Sequence, residues 1–252
     1  MLKYNKFYII PNINRKTKYC NIFVSRITPS RIGKILGNDS FDHRSPERFS
    51  YDMITGYKED RDESAIKRIQ HGKDHEETNR KLYEIKNNVT IYKPDFLVSN
   101  DSEWFGCEVD GFIFEKDQTE FNLDKSDKLF EAKVTTRISD KILEYEARRK
   151  EGFVSDEDMR IGHIFKPYID QIYMEMWLTG INITVLSILQ IPFETKLNIT
   201  DFRLEDLPED CHLFNQKIYL NYDDWNASLE KINTFCNNIY FPMIEAYSKR
   251  FS

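Results

Sequence analysis

Two spacings of apolar residues alternate along this chain, and each marks one kind of element. Short runs rich in β-branched and aromatic residues, at 7–10, 89–92, 96–99, 183–190 and 213–221, read as strands. Segments 104–114 and 128–135 read as a strand pair around the acidic turn 115–127. Helical spacing predicts a short helix from Thr28-Pro29 to Leu36, with Thr28 at the cap, Pro29 in the first turn and Gly37 as the stop. A second short helix opens at Ser45-Pro46 and runs to Thr55. A long helix follows over 63–86, where Ile66, Ile69, Lys73, Glu76, Arg80 and Tyr83 recur at spacings of three and four. That face begins apolar and ends polar, with Glu76 on it. Further helices are expected over 139–150, 159–179 with its stop at Gly180, and 225–247 with Leu229, Ile232, Phe235 and Ile239 on one face. Residues 12–19, 151–158 and 194–210 read as polar connections.

The order of helix, sheet, helix, sheet, helix, with no repeat and no low-complexity linker, predicts one α/β domain over 1–252. Its centre would be a mixed β-sheet flanked by helices.

Composition adds limits. The chain has 252 residues, 40% of them hydrophobic, enough for a sizeable core, and 31% charged. Its net charge of -6 does not advertise nucleic-acid binding, yet an acidic site and a local basic groove can coexist. Cys20, Cys107, Cys211 and Cys236 form no C-x-x-C pair, which argues for reduced thiols over a zinc ribbon or a disulfide framework. The N-terminus lacks a signal-peptide apolar core, and the most apolar stretch, 181–193, is too short and too polar to span a bilayer. The chain is expected to stay in the compartment where it is made, the cytoplasm.

Four fragments carry the chemistry: G-K-D-H-E at 72–76, V-D-G at 109–111, E-A-K at 131–133 and D-Q-I-Y at 170–173. They supply a helical glutamate, an aspartate at a strand end, an acid-x-lysine on the next strand and a helical glutamine. Two carboxylates from adjacent strands can hold a divalent metal, and a lysine two residues after one of them shares its strand face. The lysine can therefore reach a water on that metal, which is equipment for hydrolysing a phosphodiester. Each fragment alone is ordinary: E-x-K is usually a solvated strand face and V-D-G a turn. Their joint order is what signifies. His71 and His75 stand four apart but lack the H-E-x-x-H arrangement, so no zinc site is read there.

The same fragments resemble the PD-(D/E)xK nucleases, and within them the lambda-exonuclease-like, YqaJ-type viral recombinases. I-T-P-S-R-I-G at 27–33 looks like the family's I-T-A-S segment, and the stretch from Ser45 to Gly56 is similar to its connector. H-G-K-D-H-E-E-T-N-R-K-L-Y-E at 71–84 matches its G-x-x-x-E helix. C-E-V-D-G-F at 107–112 stands where the family has S-P-D-G, F-E-A-K at 130–133 where it has L-E-L-K or L-E-I-K, and D-Q-I-Y-M-E-M-W-L-T-G at 170–180 where it has a Q-x-Q helix. Glu108-Val109 replaces Ser-Pro, Tyr173 replaces the second Gln, and the basic residue before I-T-P-S is Arg26, directly adjacent.

The resemblance implies a restriction-endonuclease-like core over about 27–180. It implies Asp110, Glu131, the backbone carbonyl of Ala132 and Glu76 as ligands of Mg²⁺, with Mn²⁺ able to substitute. Lys133 and Gln171 complete the expected catalytic set, with Lys133 protonated and acting electrostatically. Ser30, Arg31 and Arg26 are expected at a 5′-phosphate, and Arg137 at the DNA backbone. The implied activity is 5′-to-3′ exonuclease action on linear double-stranded DNA. The resulting 3′ overhangs would serve recombination or viral DNA processing, with double-stranded DNA ends and a single-strand annealing protein as partners. Some relatives form rings and others act as monomers. The alternatives are an endonuclease of the same fold acting on DNA or RNA, and a catalytically silent adaptor that binds DNA ends.

Overall fold

The computed structural model describes residues 3–12, 15–38, 44–57, 62–116, 118, 120–153, 165–195, 197 and 207–251. Five strands make the main sheet, in the order β10-β9-β8-β7-β4: β4 is Val89–Tyr92, β7 Gly111–Glu115, β8 Leu129–Thr135, β9 Ile183–Gln190 and β10 His212–Tyr219. β8 and β9 are parallel; the other neighbours are antiparallel. The sheet is therefore mixed, as the order of elements predicted. A smaller sheet joins β1 (Phe7–Ile10), β5 (Phe96–Ser99) and β6 (Gly106–Cys107). β2 (Lys16–Tyr19) and β3 (Ile22–Ser25) form a hairpin.

Helices cover both faces of the main sheet. α3 (Glu63–Asn87) lies on one, where Tyr83 packs with Ile91, Ile113, Phe130, Ala132 and Val185. The other face carries the larger core: Phe112, Phe114, Leu129, Leu186, Ile188 and Phe214 meet helices α1 (Pro29–Ile35), α5 (Lys166–Thr179) and α6 (Tyr222–Phe235). Neighbouring residues of β7 and β8 thus alternate between two cores, as strand geometry requires. α2 (Pro46–Thr55), α4 (Asp140–Lys150) and α7 (Phe241–Ser248) complete the described helices.

Three expectations change. Residues 12–19 are not wholly a loop, because Lys16, Thr17 and Lys18 alternate exposed, buried, exposed as β2. The buried Thr17 hydroxyl donates to Glu103 at 2.8 Å. The expected strand 104–114 is two strands, for β6 pairs with β5 in the small sheet while β7 pairs with β4 and β8 in the large one. Glu108, Val109 and Asp110 cross between the sheets. The expected helix 225–247 is interrupted by a π-helical turn, Cys236–Tyr240, just before Pro242, which has no N–H to continue an α ladder. The expected start of α5 at Met159 lies outside the described residues, as do 154–158 and most of 194–206. Gly180 ends α5 in the left-handed region at φ 77°, as its position promised. Among the described residues no helix is long and apolar enough to cross a membrane.

Candidate active site

Gly111 stands opposite Phe130, and Phe112 opposite Leu129, in the antiparallel pair of β7 and β8. Continuing that register by one residue sets Asp110 opposite Glu131. Asp110 Oδ2 accepts from the Ala132 amide at 2.8 Å, so the aspartate is tied to the next strand by its main chain. On its other side β7 packs closely against β4, and Gly111 is what allows it. A Cβ there would lie 2.1 Å from Ile91 Cγ2 on β4, so the V-D-G glycine serves close packing.

Glu131 and Lys133 share the face of β8 that looks toward α5, and they form an ion pair. α5 brings Gln171 between them. Its Nε2 donates to Glu131 Oε1 at 2.6 Å and to Glu175 Oε1 at 3.1 Å, while its Oε1 accepts from Lys133 Nζ at 3.3 Å. The reverse amide orientation would point a carbonyl at two carboxylates. Glu175 follows Gln171 by one helical turn and is buried; its Oε2 has no hydrogen-bond partner among the described residues.

α3 supplies Glu76 from the other side. Glu76 Oε1 accepts from Lys93 Nζ at 2.5 Å, and the same ammonium lies 3.6 Å from Asp110 Oδ1. One turn further along α3, the fully buried Asn79 donates to the main-chain carbonyls of Lys133 at 3.0 Å and Ser187 at 2.9 Å. Its Oδ1 accepts from the Ser187 hydroxyl at 2.6 Å. The helix of Glu76 is thereby fastened to the strand of Lys133. Beside this cluster opens a cavity of about 380 Å³, lined by Arg15, Lys73, Glu76, Lys93, Glu108 and Asp110.

The charges act strongly on one another. Burial, then the charges of Glu131 and Glu76, push the Asp110 carboxyl well above its ordinary range, against the pull of Lys133 and Lys93. Glu175 is pushed up by burial and by Glu131 and Asp110. Burial pulls Lys133 down, but Glu131 and Asp110 outweigh it, and the ammonium is held more firmly than an ordinary lysine's. Lys93 is raised in the same way by Glu76 and Asp110. Burial raises Glu76, yet the hydrogen bond and charge of Lys93 carry it below its usual value.

Four carboxylates therefore crowd around two ammonium groups, and a divalent cation there would favour their ionised forms. The donors are hard oxygens, which suit Mg²⁺. Among the described residues no three acidic, histidine or cysteine side chains converge as a ready-made cage. Mg²⁺ typically takes one or two carboxylates and keeps several waters, so Asp110 and Glu131 fit it without one. His71 is used otherwise: its Nε2 lies 2.9 Å from the Ile191 carbonyl.

The structure brings Glu76, Asp110, Glu131, Lys133 and Gln171 together. The expected phosphate residues lie on α1, just before it and beyond the end of β8. Ser30 is exposed in the first turn of α1, its hydroxyl 3.2 Å from that of Thr28, and α1 packs against α5. Arg26 is buried and donates to the Glu103 carbonyl at 2.7 Å; Arg31 donates to the Arg26 carbonyl, also at 2.7 Å. Arg137 is exposed beyond the end of β8, 3.2 Å from Asp140. Glu108 lines the cavity and pairs with Arg15 at 2.7 Å. Sequence reasoning missed Glu175, Lys93, Arg15 and Lys73. Glu175 was legible as the residue one helical turn beyond Gln171. Lys93 and Arg15 carry no local signal, because their partners are distant in sequence.

Solved structures share this fold. The fold is similar to that of an alkaline exonuclease from Laribacter hongkongensis, at 16% identity and a TM-score of 0.57, covering 89% of this chain and 92% of that one. The same figures hold for that exonuclease in complex with dAMP. A phage-related exonuclease from Haemophilus somnus 129PT matches at 16% identity and a TM-score of 0.55, covering 90% of this chain and 97% of the other. No curated protein sequence matches. The model of the YqaJ-like viral recombinase domain matches residues 18–182, so the chain belongs to the YqaJ-like viral recombinase family.

Proposed function

We propose that this protein is a metal-dependent exonuclease that degrades one strand of linear double-stranded DNA from its 5′ end. The 3′ overhang so produced would feed recombination or viral DNA processing through an annealing protein. One observation carries the reading: Asp110, Glu131 and Lys133 lie together, with Gln171 bridging the acid and the lysine. The family and the exonuclease fold support it.

Asp110 and Glu131 would hold Mg²⁺ or Mn²⁺, with the Ala132 carbonyl and Glu76 as further oxygen donors. The ion would supply charge neutralisation at the phosphate and a water of lowered pKa. Lys133 remains a cation between its carboxylates and donates to the developing negative charge on the phosphate oxygens. Gln171 holds Lys133 and Glu131 in fixed relation, so little reorganisation is needed as that charge grows.

An endonuclease of the same fold is the second reading. It is favoured by Arg26, which is buried with its guanidinium donating to the Glu103 carbonyl.

The test is hydrolysis, with Mg²⁺, of a linear duplex bearing 5′-phosphates, of the same DNA as a closed circle, and of a structured RNA, beside Lys133→Ala. Nucleotide release from the linear duplex alone, lost in the variant, is the expected result. Cutting of the circle or the RNA would select the endonuclease. Binding of DNA ends without turnover in the parent would make the protein a silent adaptor and remove the roles given to Lys133 and Gln171.

A further inference from the structure

The cavity beside the carboxylates has a property that the catalytic set does not explain. All six of its lining side chains are charged, three basic and three acidic. Its volume of about 380 Å³ is within the range of small-ligand sites, but it offers no apolar wall. Such a lining suits a strongly charged, hydrated group. It lies on the α3 side of Asp110 and is lined by no residue of α1 or α5. A phosphate grip at α1 would therefore be a different contact.

Its acids are largely answered. Glu76 is paired with Lys93, which also faces Asp110, and Glu108 is paired with Arg15. Lys73 is exposed, one turn before Glu76 on α3, and forms no ion pair among the described residues. Arg15 is held in place on several sides. Its Nε donates to the Asn12 carbonyl at 3.2 Å, and its Nη2 reaches Glu108 at 2.7 Å and Asn12 Oδ1 at 3.4 Å. Its guanidinium lies 5.9 Å from the centre of the Phe96 ring. Asn12 is braced in turn by Asp95 at 3.1 Å. Nη1 of Arg15 has no partner among the described residues. A guanidinium fixed by its neighbours, with donors left over, loses little entropy when it binds an anion.

We propose that Arg15 and Lys73 bind a backbone phosphate of the nucleic-acid strand where it passes the carboxylate cluster. This rests on the nuclease reading above and adds a second anchor to it. Lys73 reaches the phosphate from the helix that carries Glu76. Arg15 reaches it from the loop before β2. Contacts of this kind are independent of base sequence and depend on salt, because each one releases a counterion.

The experiment is binding of a 5′-phosphorylated linear duplex by fluorescence anisotropy, with Ca²⁺, across a KCl series. The proteins are the parent, Arg15→Ala, Lys73→Ala, the double variant, and Lys249→Ala as a control at the end of α7. Each single change should weaken binding and lower the slope of log K against log salt, and the double change, which removes the contact to that phosphate, should lower it by about 0.7–0.9. The control should follow the parent. Lys73→Arg should recover most of the lost slope. Arg15→Ala combined with Glu108→Gln separates a lost contact from an exposed carboxylate: a slope that stays low supports the contact, and one that returns to the parent's removes Arg15 from it. An unchanged slope in the double variant, with the parent still binding and cutting DNA, overturns this inference and leaves the nuclease reading intact. A parent that binds no DNA overturns both.

Discussion

Asn79 donates to the main-chain carbonyl of Lys133 at 3.0 Å, so the helix that carries one acid of the site is bolted to the strand that carries its lysine. The amide also closes a pair of bonds with Ser187 on β9. Asn79→Ala would strip partners from buried groups that water cannot reach. A loss of about 2–3 kcal/mol is expected, read as a lower urea midpoint with an unchanged slope. A variant as stable as the parent would show that a shift of α3 gives these groups other partners.

The crowded carboxylates should give the protein a characteristic pH dependence when divalent metal is removed. Asp110 and Glu175 have folded-state pKa values raised above their unfolded ones. Above the unfolded value the unfolded chain gives up these protons first, so it binds fewer than the native state does. Stability should then fall as pH rises from the ordinary carboxylate range upward. Glu175→Gln removes one of these acids and should flatten the fall, measured as melting temperature against pH in EDTA. A steeper fall in the variant would contradict the assignment. Adding Mg²⁺ to the parent should raise the melting temperature, by about 2.7 kcal/mol of stabilisation at a hundredfold excess over Kd.

Gly111 offers a steric test of how closely β7 packs against β4. A methyl group at this position meets Ile91 Cγ2 at 2.1 Å, and a β-branched strand residue has little freedom to turn away. Gly111→Ala should cost about 1–3 kcal/mol by overpacking. Ile91→Ala removes the opposing carbon and should recover part of that cost in a double-mutant cycle. Simple additivity of the two changes would mean that the clash is relieved elsewhere.

Much of this was legible in sequence because it follows from periodicity and from short motifs. Glu131 and Lys133 fall on one strand face by alternation alone, and α3 places Glu76 by its three-and-four spacing. The sheet switch at 108–110 was hidden, since Gly106 to Phe114 is apolar enough to read as one strand and only pairing partners divide it. β2 was hidden because its inward residue is a threonine between lysines. Lys93 and Arg15 were hidden because ion pairing depends on where distant segments meet. Arg26, expected at an anion beside a helix start, is buried and donates to a main-chain carbonyl, a contact that only the fold brings within its reach.

The parallel pairing of β8 with β9 also bears on the order in which the chain assembles. A parallel neighbour needs a long crossover, and α5 with Gln171 belongs to that crossover. The bond from Gln171 to Glu131 spans 40 residues, against 22 for Ala132 to Asp110 and 17 for Lys93 to Glu76. Loop closure makes the widest of these the slowest to form. During refolding, helix content should return before nuclease activity does, and the glutamine that completes the constellation should be the last of its members to arrive.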